Sequence, residues 1–180
     1  NLKELSISDC LLIEDLYCER NSITSLIIPD RQHLINLDFD GNPLEKIEAS
    51  NCTGLKSFHA FSSSLPTENL EINLAGCHSL ESISTDVTSL SKLNISGCTG
   101  LKRLSCTSDK LTELNISDCS LIEDLYCRGN SITNLSFPNN TSLKKLMCVG
   151  NSLERIDFSN CKELETDTIW DCGNYNLGVD

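Results

Sequence analysis

Cysteine is the side chain with the most chemical potential in this 180-residue sequence: there are eleven, against three histidines, one methionine and one tryptophan. So many thiols suggest zinc, nucleophilic catalysis or disulfides. Zinc sites use short paired spacings such as Cys-x-x-Cys; none occurs, and the histidines are scattered. A nucleophile needs a base beside it, and His59 with a nearby Cys or Asp is the only start on offer. No nucleophile motif or phosphate loop accompanies it, so no enzyme and no catalytic residue are expected. The run Asp38-Phe39-Asp40-Gly41-Asn42 opens like a calcium loop. However, the sixth and twelfth places, where Gly and Glu belong, hold Pro43 and Ala49. Neither a metal nor a cofactor is expected. The sequons at Asn51, Asn94, Asn115, Asn139 and Asn140 read as by-products of Asn-rich turns, with Asn94 and Asn115 in equivalent places.

The disulfide question turns on where the cysteines sit. The clearest stretch, Leu111 to Leu153, repeats one pattern four times: apolar, two variable, apolar, variable, apolar or Cys, two variable, then Asn or Cys. Segments open at Leu2, Ile13, Ile23, Leu34, Leu44, Leu55, Leu65, Leu80, Leu90, Leu101, Leu111, Ile122, Ile132, Leu143, Leu153 and Leu164. The steps alternate between 11 and 10 residues, except that Leu65 to Leu80 carries four extra residues around Pro66. Cys10, Cys52, Cys77, Cys98, Cys119 and Cys161 hold the ninth place of the 11-residue segments, and Cys172 that of the last segment. Cys18, Cys106, Cys127 and Cys148 hold the sixth place of the 10-residue segments. Equivalent residues on stacked coils lie about 4.8 Å apart with parallel side chains. A disulfide wants Cβ atoms about 3.8 Å apart on converging vectors. Most of the thiols are therefore expected to be free and buried, acting as small apolar groups with a weak donor.

This pattern is the leucine-rich-repeat signature L-x-x-L-x-L-x-x-N/C-x-L, written twice per 21 residues. Each half places an L-x-L alternation, which sends two side chains inward and one outward and so calls for a short strand. Neither half has helical spacing. The expected fold is mainly β: a single solenoid domain over residues 1–180, with about eight coils, two parallel sheets and almost no helix. The coil around 58–88 breaks the segment length and the Asn column, and 164–180 forms the C-terminal end. The chain starts inside a repeat, at NLKELS, and is expected to be a piece of a longer protein.

Sharp inward turns bring backbone N–H and C=O groups toward a dry core, and each needs a partner. Asn21, Asn42, Asn130 and Asn151 are placed to supply them as a ladder, with Ser63, Thr88 and Asp109 as departures. The ninth-place cysteines do the same more weakly at the other edge, with Arg31 and Asn140 as exceptions. Leu114, Ile116, Leu125, Leu135, Phe137 and Leu146 are expected in the core.

Net charge is −12, from 26 acidic and 14 basic residues. That argues against a nucleic-acid partner and against docking on an anionic membrane. No apolar run reaches the ~18 residues of a spanning helix, so no membrane insertion is expected. Two units, IEDLYCRGNSITNLSFPNN and LKKLMCVGNSLERIDFSNC, match LxxLxCxxNxLxxLxLxxN over nearly their whole length. In this the chain resembles the leucine-rich-repeat surface proteins of Bacteroides-type bacteria. The resemblance implies secretion or attachment to the cell surface, and adhesion to a host protein, glycan or neighbouring cell. It brings no catalytic residues. In the 10-residue segments the outward places vary most, and Tyr17, His59, Phe61, Tyr126 and Met147 are the candidate ligand anchors there. Aromatics also simply suit strands. A rigid spacer presenting another domain is the competing role.

Overall fold

The structure is a computed structural model that describes residues 1–7, 9–28, 30–61, 69–87, 89–107, 110–157, 159–165 and 169–170. Pro66, Ser63, Thr88, Asp109 and Cys172 lie outside the described residues. In chain order the strands are β1 (Asp15–Tyr17), β2 (Ser25–Ile27), β3 (Asn36–Asp38), β4 (Lys46–Glu48), β5 (Ser57–Phe61), β6 (Leu70–Asn73) and β7 (Ser82–Asp86). They continue as β8 (Leu90–Asn94), β9 (Arg103–Cys106), β10 (Asp124–Tyr126), β11 (Asn134–Ser136), β12 (Lys145–Met147), β13 (Arg155–Asp157) and β14 (Ile169–Trp170). No helix occurs among the described residues.

Strands of the 10-residue segments join into one parallel sheet of eight, in the order β1-β3-β5-β7-β9-β10-β12-β14. The other face is shorter and split, with four strands (β2-β4-β6-β8) and then two (β11-β13). Six coils thus carry a strand on both faces, against the expected eight. Segments 2–8 and 111–117 both fit the repeat pattern, yet no strand forms in either among the described residues. The pattern governs which side chains point inward, and it is obeyed there: Leu114 and Ile116 are buried like Leu125, Leu135, Phe137 and Leu146. It does not ensure that neighbouring backbones come within hydrogen-bonding distance.

Alternation appears strand by strand. β1, β2, β10 and β11 bury only their central leucine, and β5 buries Phe58 and Ala60 between outward Ser57, His59 and Phe61. One core of inward Leu, Ile, Phe and Cys side chains fills the space between the two faces. The irregular stretch keeps its ladder. β5 and β7 pair over five residues, and Ile72 of β6 lies in register with Ile47. A bulge appears one step later, between β6 and β8, where Leu70 faces Leu90 but Glu71 faces Lys92. At the far end Leu146 pairs with Ile169, two residues later than a 21-residue step would place it.

The turns need left-handed backbone at one recurring place. Gly76 takes it at φ +77°, and a Cβ there would stand 2.3 Å from Asn51 Oδ1. One coil earlier Asn51 itself adopts φ 55°, a conformation that Asn tolerates better than most residues.

Along the outside, Lys56, Glu81, Lys102, Glu123, Lys144 and Glu165 alternate in sign from coil to coil. Lys102 meets Glu81 at 3.0 Å and Lys144 meets Glu123 at 2.9 Å. These exposed pairs add little stability. Their alternation does favour the observed order of coils, since a skipped coil would oppose like charges.

Candidate binding face and the ladders behind it

The register of the eight-stranded sheet sets which outward side chains are neighbours. Tyr17 pairs with Asp38, Asp38 with His59 and His59 with Ser84. Further along, Tyr126 pairs with Met147. The five candidate anchors therefore form two groups and an outlier. His59 and Phe61 share β5, with ring centroids 6.3 Å apart at 67°. Tyr126 and Met147 are adjacent on β10 and β12. Tyr17 stands two strands from His59, or about 10 Å at ordinary strand spacing, and is the most exposed of the five at 58%. The repeat spacing does not bring Trp170 to this sheet; β14 sets it in register with Met147. The late entry of the last coil conceals it in the sequence.

Around β5 the polar groups are held in place. The Phe61 N–H donates to Asp40 Oδ1 at 2.8 Å, and the Asp40 N–H donates to Asp38 Oδ1 at 3.0 Å. His59 Nε2 lies 2.8 Å from Ser57 Oγ. Burial pushes the Asp40 carboxyl above the usual range; neighbouring Asp38 adds to this, while the Phe61 N–H and His59 oppose it. One strand back, Asn36 Nδ2 donates to Asp15 Oδ1 at 2.6 Å. Asp38 and Asp40 therefore spend oxygens on the backbone, and Asn42 is buried in the turn behind them. Among the described residues no cluster of three or more His, Cys, Asp or Glu is arranged to hold a metal.

Behind this face runs the asparagine ladder. Asn42 Oδ1 accepts from the Ile23 N–H of the preceding coil (3.1 Å), and its Nδ2 donates to the carbonyls of Cys18 (2.8 Å) and Phe39 (3.0 Å). Asn130 repeats the arrangement with Leu111 N–H, Cys106 O and Cys127 O. So does Asn151, with Ile132 N–H, Cys127 O and Cys148 O. Asn21 accepts from Leu2 N–H but donates only within its own turn, to Cys18 and Glu19. Each amide thus joins two coils and closes its own turn.

The opposite edge holds a column of thiols. Cys52, Cys77 and Cys98 Sγ donate to the carbonyls of Ile28 (3.0 Å), Ala49 (3.3 Å) and Leu74 (3.2 Å), each one coil back. Cys119 and Cys161 do so at longer range, to Ile95 (3.9 Å) and Asn140 (3.8 Å). Where Asn140 interrupts the column, its amide caps the turn, accepting from the Ser142 and Leu143 N–H groups and donating to Ile122 O. Arg31 reaches Ile7 O from the equivalent place. Burial pushes Cys77, Cys119 and Cys127 up to about 12 and Cys98 up to about 11.

Two cysteines depart from this: Cys10 is exposed and Cys18 only half-buried. Nine of the ten described cysteines are free, whereas Cys148 is disulfide-bonded. Cys148 lies on the coil next to the shifted β14, where the regular stacking that keeps the other thiols apart ends.

No protein-family model and no curated protein matches the chain. Among solved structures it is similar to one described as the functional domain of InlJ from Listeria monocytogenes, which includes a cysteine ladder. The similarity has a TM-score of 0.72 and 28% identity, and covers 91% of this chain and 36% of that one. This chain thus spans little more than a third of that structure's length. What the two share is the fold, in this chain a leucine-rich-repeat-type solenoid of parallel sheets, and a cysteine ladder.

Proposed function

We propose that the chain is a non-enzymatic binding module of a bacterial surface or secreted protein. It contacts a host protein, a glycan or a neighbouring cell through the outward face of the eight-stranded sheet. The observation that carries this reading is the contrast between the two sides of that sheet. Its inner side repeats Leu, Ile and Cys, while its outer columns change from coil to coil between Asp, Tyr, His, Ser, Arg, Lys and Met. A scaffold that served only as a spacer has no use for such variety, whereas stacked repeats offer an extended surface for recognition. Similarity to a functional domain of a Listeria protein supports the bacterial assignment. The Bacteroides-type repeat spelling points to the cell surface.

The test is saturable binding of the purified chain to a panel of host cells and immobilised glycans. Replacing both His59 and Phe61 by Ala is expected to weaken binding by about 1 kcal/mol or more, with the thermal transition unchanged. Both side chains are outward, so the core is untouched. Absence of saturable binding by the unaltered chain would favour the spacer role. Binding that survives the double replacement would move the contact to Tyr126 and Met147.

A further inference from the structure

The outward face of the eight-stranded sheet is electrically divided. At and just beyond β1, β3 and β5 its outward places hold Asp15, Glu19, Asp38 and Asp40, and neither Lys nor Arg. At and just beyond β9, β10 and β12 they hold Arg103, Arg128 and Lys145 against Asp124. Elsewhere the chain neutralises carboxylates coil by coil, pairing Glu71 with Lys92, Glu81 with Lys102 and Glu123 with Lys144. Among the described residues none of the four acids on the first half is paired with a cation, not even with Arg20 in the turn after β1.

Aromatic rings stand beside these acids. Tyr17, Asp38 and His59 are consecutive partners across β1, β3 and β5. A carboxylate therefore lies between two ring-bearing residues, one strand spacing of about 4.8 Å from each. Phe61 meets His59 edge to face on the same strand, and Tyr17 and Phe61 are both exposed. Asp38 and Asp40 are already held in place by the backbone N–H groups of Asp40 and Phe61, at 3.0 and 2.8 Å. A ligand would not have to order them on binding.

We propose that the outward face of β1, β3 and β5 docks a basic segment of a partner protein, with one arginine laid over Asp38 between the rings of Tyr17 and His59. This rests on the reading of the eight-stranded sheet as the binding face, and it names the chemistry that face takes. A cation over Asp38 would stand within the ~6 Å at which aromatic rings attract it. The planar guanidinium pairs with a carboxylate through its fork of N–H groups while its flat side lies on a ring, a combination the compact lysine ammonium lacks. The net charge of −12 steers basic partners toward the chain. A glycan brings no matching group, since its polar groups are hydroxyls, amides and acids.

The experiment selects a displayed library of random linear peptides on the purified chain, then measures the winners in solution. Winners should carry arginine, and replacing it by lysine should weaken them roughly fivefold or more. Asp38→Asn keeps an oxygen for the Asp40 N–H, and Tyr17→Ala changes an exposed position. Each should weaken the winners by a similar factor with the thermal transition unchanged. Glu113→Gln, an equal loss of negative charge on the opposite face, should leave them unaffected. The proposal is overturned if no peptide is enriched, if winners lack arginine, or if the lysine peptide binds as well. Equal losses from Asp38→Asn and Glu113→Gln would mean attraction by overall charge and would overturn it too. So would an oligosaccharide panel that binds this face where peptides do not. The winning peptide is then added in excess to the cell-binding assay. Saturable cell binding that it does not displace would overturn this slot and leave the sheet a binding face elsewhere. Peptide binding that depends on Asp38, without any cell binding, would support the slot and count against the wider role alone.

Discussion

Asn42→Ala is expected to cost about 3 to 5 kcal/mol, because it leaves the Ile23 N–H and two carbonyls without partners beside a dry core. The side chain is 1% exposed, so water cannot replace the amide. Asn130→Ala should be as damaging, since its bonds are the same in kind. Asn21→Ala should cost far less, about 1 kcal/mol, because that turn is partly open to solvent. Urea unfolding of the three variants measures this directly. A small loss at Asn42, similar to that at Asn21, would mean that the coils are held by apolar packing alone.

The buried thiols give a second large effect, at high pH. A thiol whose value is raised in the fold stays neutral there while the unfolded chain ionises. Its contribution is complete below the ordinary value of 9.0 and is lost as pH climbs toward the folded value, about 11 for Cys98 and about 12 for Cys77, Cys119 and Cys127. Within that window each such thiol lowers the unfolding free energy by roughly 1.4 kcal/mol per pH unit, and the four together by about 6. A domain of ordinary stability, about 5 to 15 kcal/mol, should therefore unfold between about pH 10 and 12. Between pH 9 and 11, Cys98→Ala should remove about a quarter of the slope that these four thiols supply. A stability curve flat from pH 9 to 12 would contradict the burial of the thiols.

Much of this is legible in the repeat itself. An interval of 21 residues places Leu114, Leu125, Leu135 and Leu146 inward because alternation on a strand leaves no choice of side, and all four are buried. The alternation of 11 and 10 likewise separates the two faces, since β1 and β3 come from one kind of segment and β2 and β4 from the other. What the pattern does not encode is backbone proximity. Residues 111–117 spell the repeat as well as any segment and still form no strand. Exposure is equally silent: Cys10 has the same place in its segment as buried Cys98, and yet it is exposed. Trp170 and the bridged Cys148 lie where the last coil slips by two residues, and a fixed period cannot anticipate a slip. The anchors are legible one at a time, whereas their grouping into His59 with Phe61 and Tyr126 with Met147 needs the strand order.

That the coils are joined by buried, unbridged thiols beside the asparagines can be tested by alkylation at pH 8 without reductant, read residue by residue by mass spectrometry. In the folded protein Cys10 should react at once and half-buried Cys18 more slowly. Cys52, Cys77, Cys98, Cys106, Cys119, Cys127 and Cys161 should stay unmodified until denaturant is added, and then react fully. Cys148 should remain protected even then, until its disulfide is reduced. Rapid modification of Cys77, Cys98 and Cys119 in the folded protein, or their failure to react in denaturant, would contradict a stack of dry free thiols.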